Sequence, residues 1–407
     1  MTSLPITPAP INVDQVRSDT PACADIMHFN NAGSALPPQR VTDAQISFLE
    51  LESRIGGYEA HEQFEDHIEA MHVSAATLLG TRARNVAAVE SATRGWNTAF
   101  GTIRFEEGDR ILTNRSEYIS NMGGLLYAQE RYGVELVVVP SDESGQVDVA
   151  AMAEMIDERT RVVTLSHIPT QGGLINPAAE IGALTRDTDI IYILDACQSV
   201  GQLNVDVNEL GCDILSFTGR KFVRGPRGTG MVWVNDKTLE STGMPQGMDG
   251  SGGVWEDRFQ FTPAVDARRF EVFESHVAGL VGLGVAFDYI LELGIDNIEA
   301  RNAVLSSSLR SKLSEVDGVT VQDLGVNQCA IVTFSVDDAT GAKRDCTSMK
   351  LALREQAMNV SVTSHTSARL DFPTRGLTEL LRASVHYYNT EEEIDRFVAA
   401  VAVIADS

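Results

Sequence analysis

Cysteine is scarce in this 407-residue chain. The five present (Cys23, Cys197, Cys212, Cys329 and Cys346) form no Cys-x-x-Cys pair and no Cys/His set at metal spacing. A disulfide framework and a zinc module are therefore excluded, no metal site is expected, and reduced core thiols are the reading. Basic charge is short as well: 32 Lys and Arg against 57 Asp and Glu leave a formal net charge of -25. That is the wrong sign for a face that must neutralise phosphates, so no nucleic-acid partner is expected. The N-terminal stretch has no basic region followed by an apolar one, and no run of about 18 apolar residues escapes a charge. A soluble, cytoplasmic protein with no membrane partner is the expectation. Internal repeats are missing, and the only biased tract is the Gly/Met/Asp-rich loop from Met244 to Gly253, a length of loop that tends to be functional or mobile.

What is present is a chain with 43% hydrophobic residues, enough for a large core plus a smaller domain. Val/Ile-rich runs recur at Arg110 to Thr113, Val134 to Pro140, Arg161 to Ser166, Ile190 to Asp195, Asp213 to Phe217 and Gly230 to Val234. Helix-period stretches such as Val149 to Asp157 and Ala178 to Thr185 separate most of them. Continuous apolar strands alternating with helices predict an α/β fold with a mostly parallel sheet covered on both faces, its ligand beyond the carboxyl ends of the strands. From about Glu271 the pattern changes to two long helices, Val277 to Gly294 and Asp296 to Val316. Strands near Val319 to Val321 and Ala330 to Ser335 and a closing helix, Glu391 to Ala405, follow. The expected organisation is an N-terminal arm (1–25), a large domain (26–262) and a smaller α+β domain (263–407).

Chemistry concentrates at strand ends. Lys221 follows the strand Cys212 to Phe217 and precedes a glycine-rich turn, and Asp195 closes a second buried strand. A lysine and a carboxylate so placed suit an enzyme that carries pyridoxal phosphate as a Schiff base, with the carboxylate facing the protonated pyridine nitrogen. An aspartate there is also a common helix N-cap. Gln198, three residues on, is within reach of the ring's phenolic oxygen or the phosphate side. Glu90-Ser-Ala-Thr-Arg-Gly-Trp-Asn97 reads as a loop opening a helix, where unpaired N–H groups near Ala92 and Thr93 favour an anion. Tyr118, in Asn114-Arg-Ser-Glu-Tyr-Ile-Ser-Asn121, is an aromatic placed to stack on a planar ring, or to fill an interior edge.

These pieces in this order resemble the class V aminotransferase family of fold type I pyridoxal-phosphate enzymes, over a span from about Phe29 to the C-terminus. Asp195-Ala-Cys-Gln198 is similar to the family's Asp-x-x-Gln. Ser216 to Gly230 is similar to its lysine segment, and Arg382-Ala-Ser-Val-His-Tyr-Tyr-Asn-Thr390 to its C-terminal signature. The resemblance implies that pyridoxal 5'-phosphate is the cofactor, that Lys221 forms the internal aldimine, that Asp195 pairs with the pyridinium and that Gln198 approaches the ring oxygen. It implies that Tyr118 stacks on the ring, and that Ala92, Thr93, Thr218 and Arg220 surround the phosphate. Thr170 falls where many relatives carry Asn beside the ring oxygen. Arg382 is implied to clamp the α-carboxylate of a small amino-acid substrate, a task that suits a two-pronged guanidinium, with Asn31, Ala32 and Gly33 passing nearby. A homodimer with shared active sites is implied too.

Two departures narrow the chemistry. Asn359 to Arg369 aligns with the loop that carries the persulfide-forming cysteine in desulfurases and holds no cysteine, which argues against sulfur transfer through an enzyme persulfide. Arg269-Phe-Glu-Val-Phe-Glu274 replaces the family's Gly-Thr phosphate contact with Phe273 and Glu274. Together with Gly56-Gly-Tyr-Glu-Ala-His-Glu62, this is most similar to the carbon-sulfur lyase branch, alongside isopenicillin N epimerase-like proteins, and makes Tyr58 a substrate-side candidate. Tyr58 and His61 also read as the plain start of a helix. The expected reaction is β-elimination from an S-substituted cysteine or its sulfoxide; transamination or epimerisation on the same residues is the alternative, and a non-catalytic binding subunit, against which Lys221, Asp195 and Arg382 argue, is a third reading.

Overall fold

The computed structural model describes residues 10–338 and 340–406. Seven strands form the central sheet: β1 (Val86–Val89), β2 (Arg110–Asn114), β3 (Glu135–Val139), β4 (Thr160–Ser166), β5 (Ile191–Asp195), β6 (Ile214–Thr218) and β7 (Gly230–Val234). Their spatial order is β1-β7-β6-β5-β4-β2-β3. All neighbours run parallel except at β7, which is antiparallel to both β1 and β6.

The apolar runs are continuous because both faces are covered. Ile111, Val162, Ile193, Ile214 and Val232 enter one core. Their chain neighbours Leu112, Val163, Leu194, Leu215, Met231 and Trp233 enter the core on the opposite face, as the two-residue period of a strand dictates. Helices α1 (Gln39–Ile55), α2 (Gly57–Leu78), α3 (Ala92–Phe100), α4 (Ile119–Tyr132) and α5 (Ala178–Thr185) belong to this part.

Helix α6 (Val277–Leu293) changes the division drawn from the sequence, which put the smaller domain's start at 263. Leu283, Phe287 and Ile290 lie in the same core as Leu215 and Phe217, and the rings of Phe217 and Phe287 meet edge to face at 6.0 Å. The helix packs beside α1 and α2, and its small residues let these three helices approach closely. No single helix among the described residues is long and apolar enough to cross a membrane; α6 is apolar because it lies inside. Helix α7 (Ile295–Ser314) bridges the two parts, with Ile298 in the large core and Leu305, Leu309 and Leu313 in the second.

That second core underlies a four-stranded antiparallel sheet, β8 (Val319–Val321), β9 (Ile331–Val336), β10 (Ser361–Ser364) and β11 (Glu379–Ser384), ordered β8-β9-β11-β10. Helix α8 (Glu391–Asp406) packs on it through Ile394, Phe397 and Val401. Met27, Phe29 and Ala32 also enter this core, and Met27–His28 pairs with Met358–Asn359. The segment just after the arm therefore packs with the smaller domain, although the sequence division placed it in the larger one. The Met244 to Gly253 loop leads into an exposed ribbon, Gly253–Asp257 paired with Gln260–Pro263.

Candidate active site

The parallel register sets Ser166 and Asp195, the last residues of β4 and β5, beside Ser216 of β6, two residues before that strand ends. Asp195 is buried; its Oδ1 accepts from the Cys197 N–H (2.9 Å) and its Oδ2 from Asn121 Nδ2 (2.8 Å). Lys221, three residues past the end of β6, is 7% exposed, and its Nζ lies 5.9 Å from the centre of the Tyr118 ring. Burial pushes the lysine's pKa below its usual value; Cys197 and Asp195 oppose the shift, while Arg220 and Arg382 add to it. The amine is thus biased toward its neutral, nucleophilic form.

Arg382, on β11, is buried too, and its Nη1 donates to the Thr170 carbonyl (2.9 Å) and hydroxyl (2.6 Å). Burial, with Arg220 nearby, brings its pKa down to about 10, so it remains a cation at neutral pH. Gln198 donates from Nε2 to the Ala32 carbonyl (3.2 Å) and to the Thr170 hydroxyl (3.3 Å). Thr170 therefore ties the glutamine and the arginine together. Arg220 donates to the Gly33 carbonyl.

Of the N-terminal candidates, Ala32 and Gly33 thus offer main-chain groups to site residues. The Asn31 side chain is fully buried, and it is engaged by the His28 and Ser384 carbonyls and by the Tyr388 hydroxyl. It braces β11 beside Arg382. Ala92 is buried and Thr93 exposed in the first turn of α3, which Ser91 caps by accepting from the Arg94 N–H. A Cβ on Gly230 would meet the Ala92 nitrogen at 3.0 Å and the Phe217 carbonyl oxygen at 2.7 Å. Glycine there lets the helix start press against β7. Thr218 Oγ1 donates to the Thr229 carbonyl at 3.2 Å. Tyr58 is placed elsewhere: it is 75% exposed on α2, with its ring 5.9 Å from that of Phe273.

Several site residues escaped the sequence reading. Glu117, two residues before α4, and Asn121, in its first turn, flank Tyr118 in the chain, and closeness to that aromatic candidate was the available signal. Arg224 is fully buried with φ at 63°, and its N–H bonds the Lys221 carbonyl at 2.9 Å. Its guanidinium donates to Leu36 O, Tyr387 Oη and Thr20 Oγ1, with the Tyr388 ring 4.5 Å away. This non-glycine residue in left-handed backbone is held by partners on the N-terminal arm and the C-terminal segment, and it fixes the turn that carries Lys221.

The donor set fits pyridoxal 5'-phosphate. Arg220, half-buried, and Arg382, buried, bring two guanidinium cations beside Lys221, and a helix start lies at β7; positive charge so far out of water calls for an anion. Gln198 Oε1, Ser216 Oγ and Arg382 Nε are buried without a hydrogen-bond partner, polar atoms that a ligand would satisfy. Fold and site together define a pyridoxal-phosphate enzyme of fold type I. Residues 27–397 match the model of the aminotransferase class-V family, and the chain belongs to that family.

Two relatives show the breadth of the match. A probable cysteine desulfurase of Methanothermobacter thermautotrophicus is 28% identical over 397 residues, 94% of this chain and 96% of the relative. A cysteine desulfurase of Salmonella typhimurium is 28% identical over 408 residues, 96% and 98% of the two chains. Among solved structures, a cysteine desulfurase from Escherichia coli superposes with a TM-score of 0.88 at 22% identity, over 98% and 100% of the chains. A cystine C-S lyase in complex with cysteine persulfide does so with 0.84 at 22%, over 94% and 99%. These two superpositions establish the fold.

Proposed function

We propose that the protein is a lyase that breaks the C–S bond of an S-substituted cysteine or cysteine sulfoxide by β-elimination, yielding a thiol or sulfenate, pyruvate and ammonia. Relatives named cysteine desulfurase and cystine C-S lyase support a sulfur-bearing amino acid as substrate. One observation carries elimination over sulfur relay. Strand β10 and the turn after it contain Ser, Thr and His365 but no thiol, and four of the five cysteines are buried while Cys197 is half-buried. Burial and Asp195 push the Cys197 thiol up to about 12, which keeps it protonated and a poor sulfur acceptor.

Pyridoxal 5'-phosphate, when bound, supplies an electron-withdrawing ring that stabilises negative charge at the substrate's Cα. The chain's own residues bind and move the rest. Arg382, with Nε free, holds the substrate carboxylate, and Lys221 Nζ, its pKa lowered by burial, takes the α-proton. The Cβ–S bond breaks with its electron pair going to sulfur, a leaving group stable enough to need little acid assistance. Water then converts the three-carbon remainder to pyruvate and ammonia. Asp195 would hold the ring nitrogen, and Tyr118 would cover the ring. The same reading includes a homodimer, supported by exposed apolar side chains on the ribbon and on Tyr58 and Phe273.

The test is to incubate the holoenzyme with S-substituted cysteines, their sulfoxides and free cysteine. Stoichiometric pyruvate and thiol from the substituted substrates is the expected result, with none from a Lys221→Ala variant. Alanine and persulfide from cysteine would overturn the reading in favour of desulfuration. Proton exchange at Cα without pyruvate would overturn it in favour of epimerisation, and 2-oxo-acid exchange in favour of transamination.

A further inference from the structure

We propose that Glu117 is a positioning residue for the cofactor's ring, acting on Asp195 through the side-chain amide of Asn121. The Asn121 Nδ2 group has two hydrogens and two carboxylate acceptors: Glu117 Oε1 at 3.0 Å and Asp195 Oδ2 at 2.8 Å. An amide bonded to Asp195 alone would keep freedom about its last torsion, which is broad for such side chains. The second acceptor fixes the amide plane, and hence the direction from which Asp195 is held.

Glu117 is itself immobilised. Its Oε1 also accepts from the Tyr118 N–H (2.8 Å) and Ser166 Oγ (2.8 Å). Its Oε2 accepts from Thr164 Oγ1 (2.9 Å) and Thr113 Oγ1 (3.1 Å). The carboxylate is 5% exposed, and burial, with Asp195 nearby, raises its pKa. A carboxylate so buried is costly unless donors surround it, and these donors come from β2, α4 and β4. Through them Glu117 reaches both sides of the ring position: the Tyr118 backbone directly, and Asp195 by way of Asn121. With Cys197 N on Oδ1 and Asn121 on Oδ2, both Asp195 oxygens are oriented before a ring nitrogen arrives.

This inference rests on the cofactor and not on the lyase reading, so failure of the pyruvate assay leaves its test intact. Full-length protein stripped of cofactor is titrated with pyridoxal 5'-phosphate, and the dissociation constant and the pH midpoint of the visible absorbance are measured. Asn121→Leu and Glu117→Ala are expected to weaken binding by roughly ten- to a hundredfold, the loss of a charge-assisted hydrogen bond, and to move the midpoint. Glu117→Gln is expected to stay within about threefold of wild type. Its amide oxygen can replace Oε1 while its NH2 meets the threonine hydroxyls, which can turn to accept. In an Asp195→Asn background, Asn121→Leu is expected to have little further effect, because the two act as one unit. Equal factors in both backgrounds, or a Gln variant as impaired as the Ala variant, would overturn the proposal. Asn121→Ser, too short to span both carboxylates, replaces the Leu variant in the cycle should the latter fold poorly.

Discussion

Arg382 and Thr170 meet through a single nitrogen: Nη1 donates to the threonine's carbonyl at 2.9 Å and to its hydroxyl at 2.6 Å, while Nε has no partner. One edge of the guanidinium is thus tied to the loop after β4, and in the proposed reaction the unpartnered Nε is the group that would meet a substrate carboxylate. A lysine ammonium can reach Thr170 but cannot present a second fixed donor. Arg382→Lys should lower kcat/KM by roughly a hundredfold, mostly through KM, and Thr170→Val by about tenfold. Steady-state kinetics on whichever substrate releases pyruvate measures both. An unchanged kcat/KM in the valine variant would show that the tie does not align the arginine.

Acid should destabilise the protein through buried histidines. His167 is buried with no partner at Nδ1, and burial takes its pKa down to about 4; burial also lowers His386 and His28. The unfolded chain takes up a proton near the ordinary value of about 6.5, while the folded chain does not until near 4. Between those values the unfolded state binds more protons, so stability falls as pH falls through the window and levels off below it. For His167 alone the loss is about 3 kcal/mol. Urea unfolding at several pH values between 7.5 and 4.5 should give a shallower pH slope for His167→Gln than for wild type. Parallel slopes would remove His167 from the account.

The large sheet was legible because its strands are buried on both faces and therefore run apolar without alternation, and Lys221 and Asp195 stood out as charges at the ends of such runs. The domain boundary was not, because the small-residue pattern of α6 is the same whichever core it enters. Glu117 and Asn121 escaped for a different reason. Their partners Ser166 and Asp195 lie 49 and 74 residues away, so the network exists only once β4 and β5 are set beside β2. Asn31's bracing role was not legible, because two of the three partners of its amide, the Ser384 carbonyl and the Tyr388 hydroxyl, come from the far end of the chain.

Two glycines in helices should respond oppositely to alanine. A Cβ on Gly182, in α5, would stand 2.0 Å from the Leu210 carbonyl oxygen and 3.0 Å from Gly211 Cα, backbone atoms that cannot swing aside. Gly182→Ala should cost about 3 kcal/mol. Gly123, exposed in α4, would place its Cβ in open space, and Gly123→Ala should stabilise by about 0.5–1 kcal/mol through the unfolded chain's lost freedom. Thermal unfolding midpoints moving in opposite directions is the expected result; a neutral Gly182→Ala would mean that α5 can shift away from Leu210.

The exposed ribbon is the place to test the proposed homodimer. Val254, Trp255 and Phe259 are 62%, 74% and 89% exposed on this one two-stranded element. The Phe273 N–H bonds Asp249 at 2.7 Å in the loop that leads into it, and the Phe273 ring neighbours that of Tyr58. Single exposed apolar residues are ordinary, but several on one projecting ribbon are the kind of surface that the proposed interface would cover. A second copy would bury the ribbon and the neighbouring Tyr58–Phe273 pair. Sedimentation of the wild type should then give twice the mass of one chain. Trp255→Ser with Phe259→Ser should shift it toward the monomer at micromolar concentration while leaving the unfolding midpoint of the isolated chain unchanged, since neither side chain contributes to a core. A wild type that sediments as a monomer, or a double variant that stays fully dimeric, would move the interface away from the ribbon or remove it.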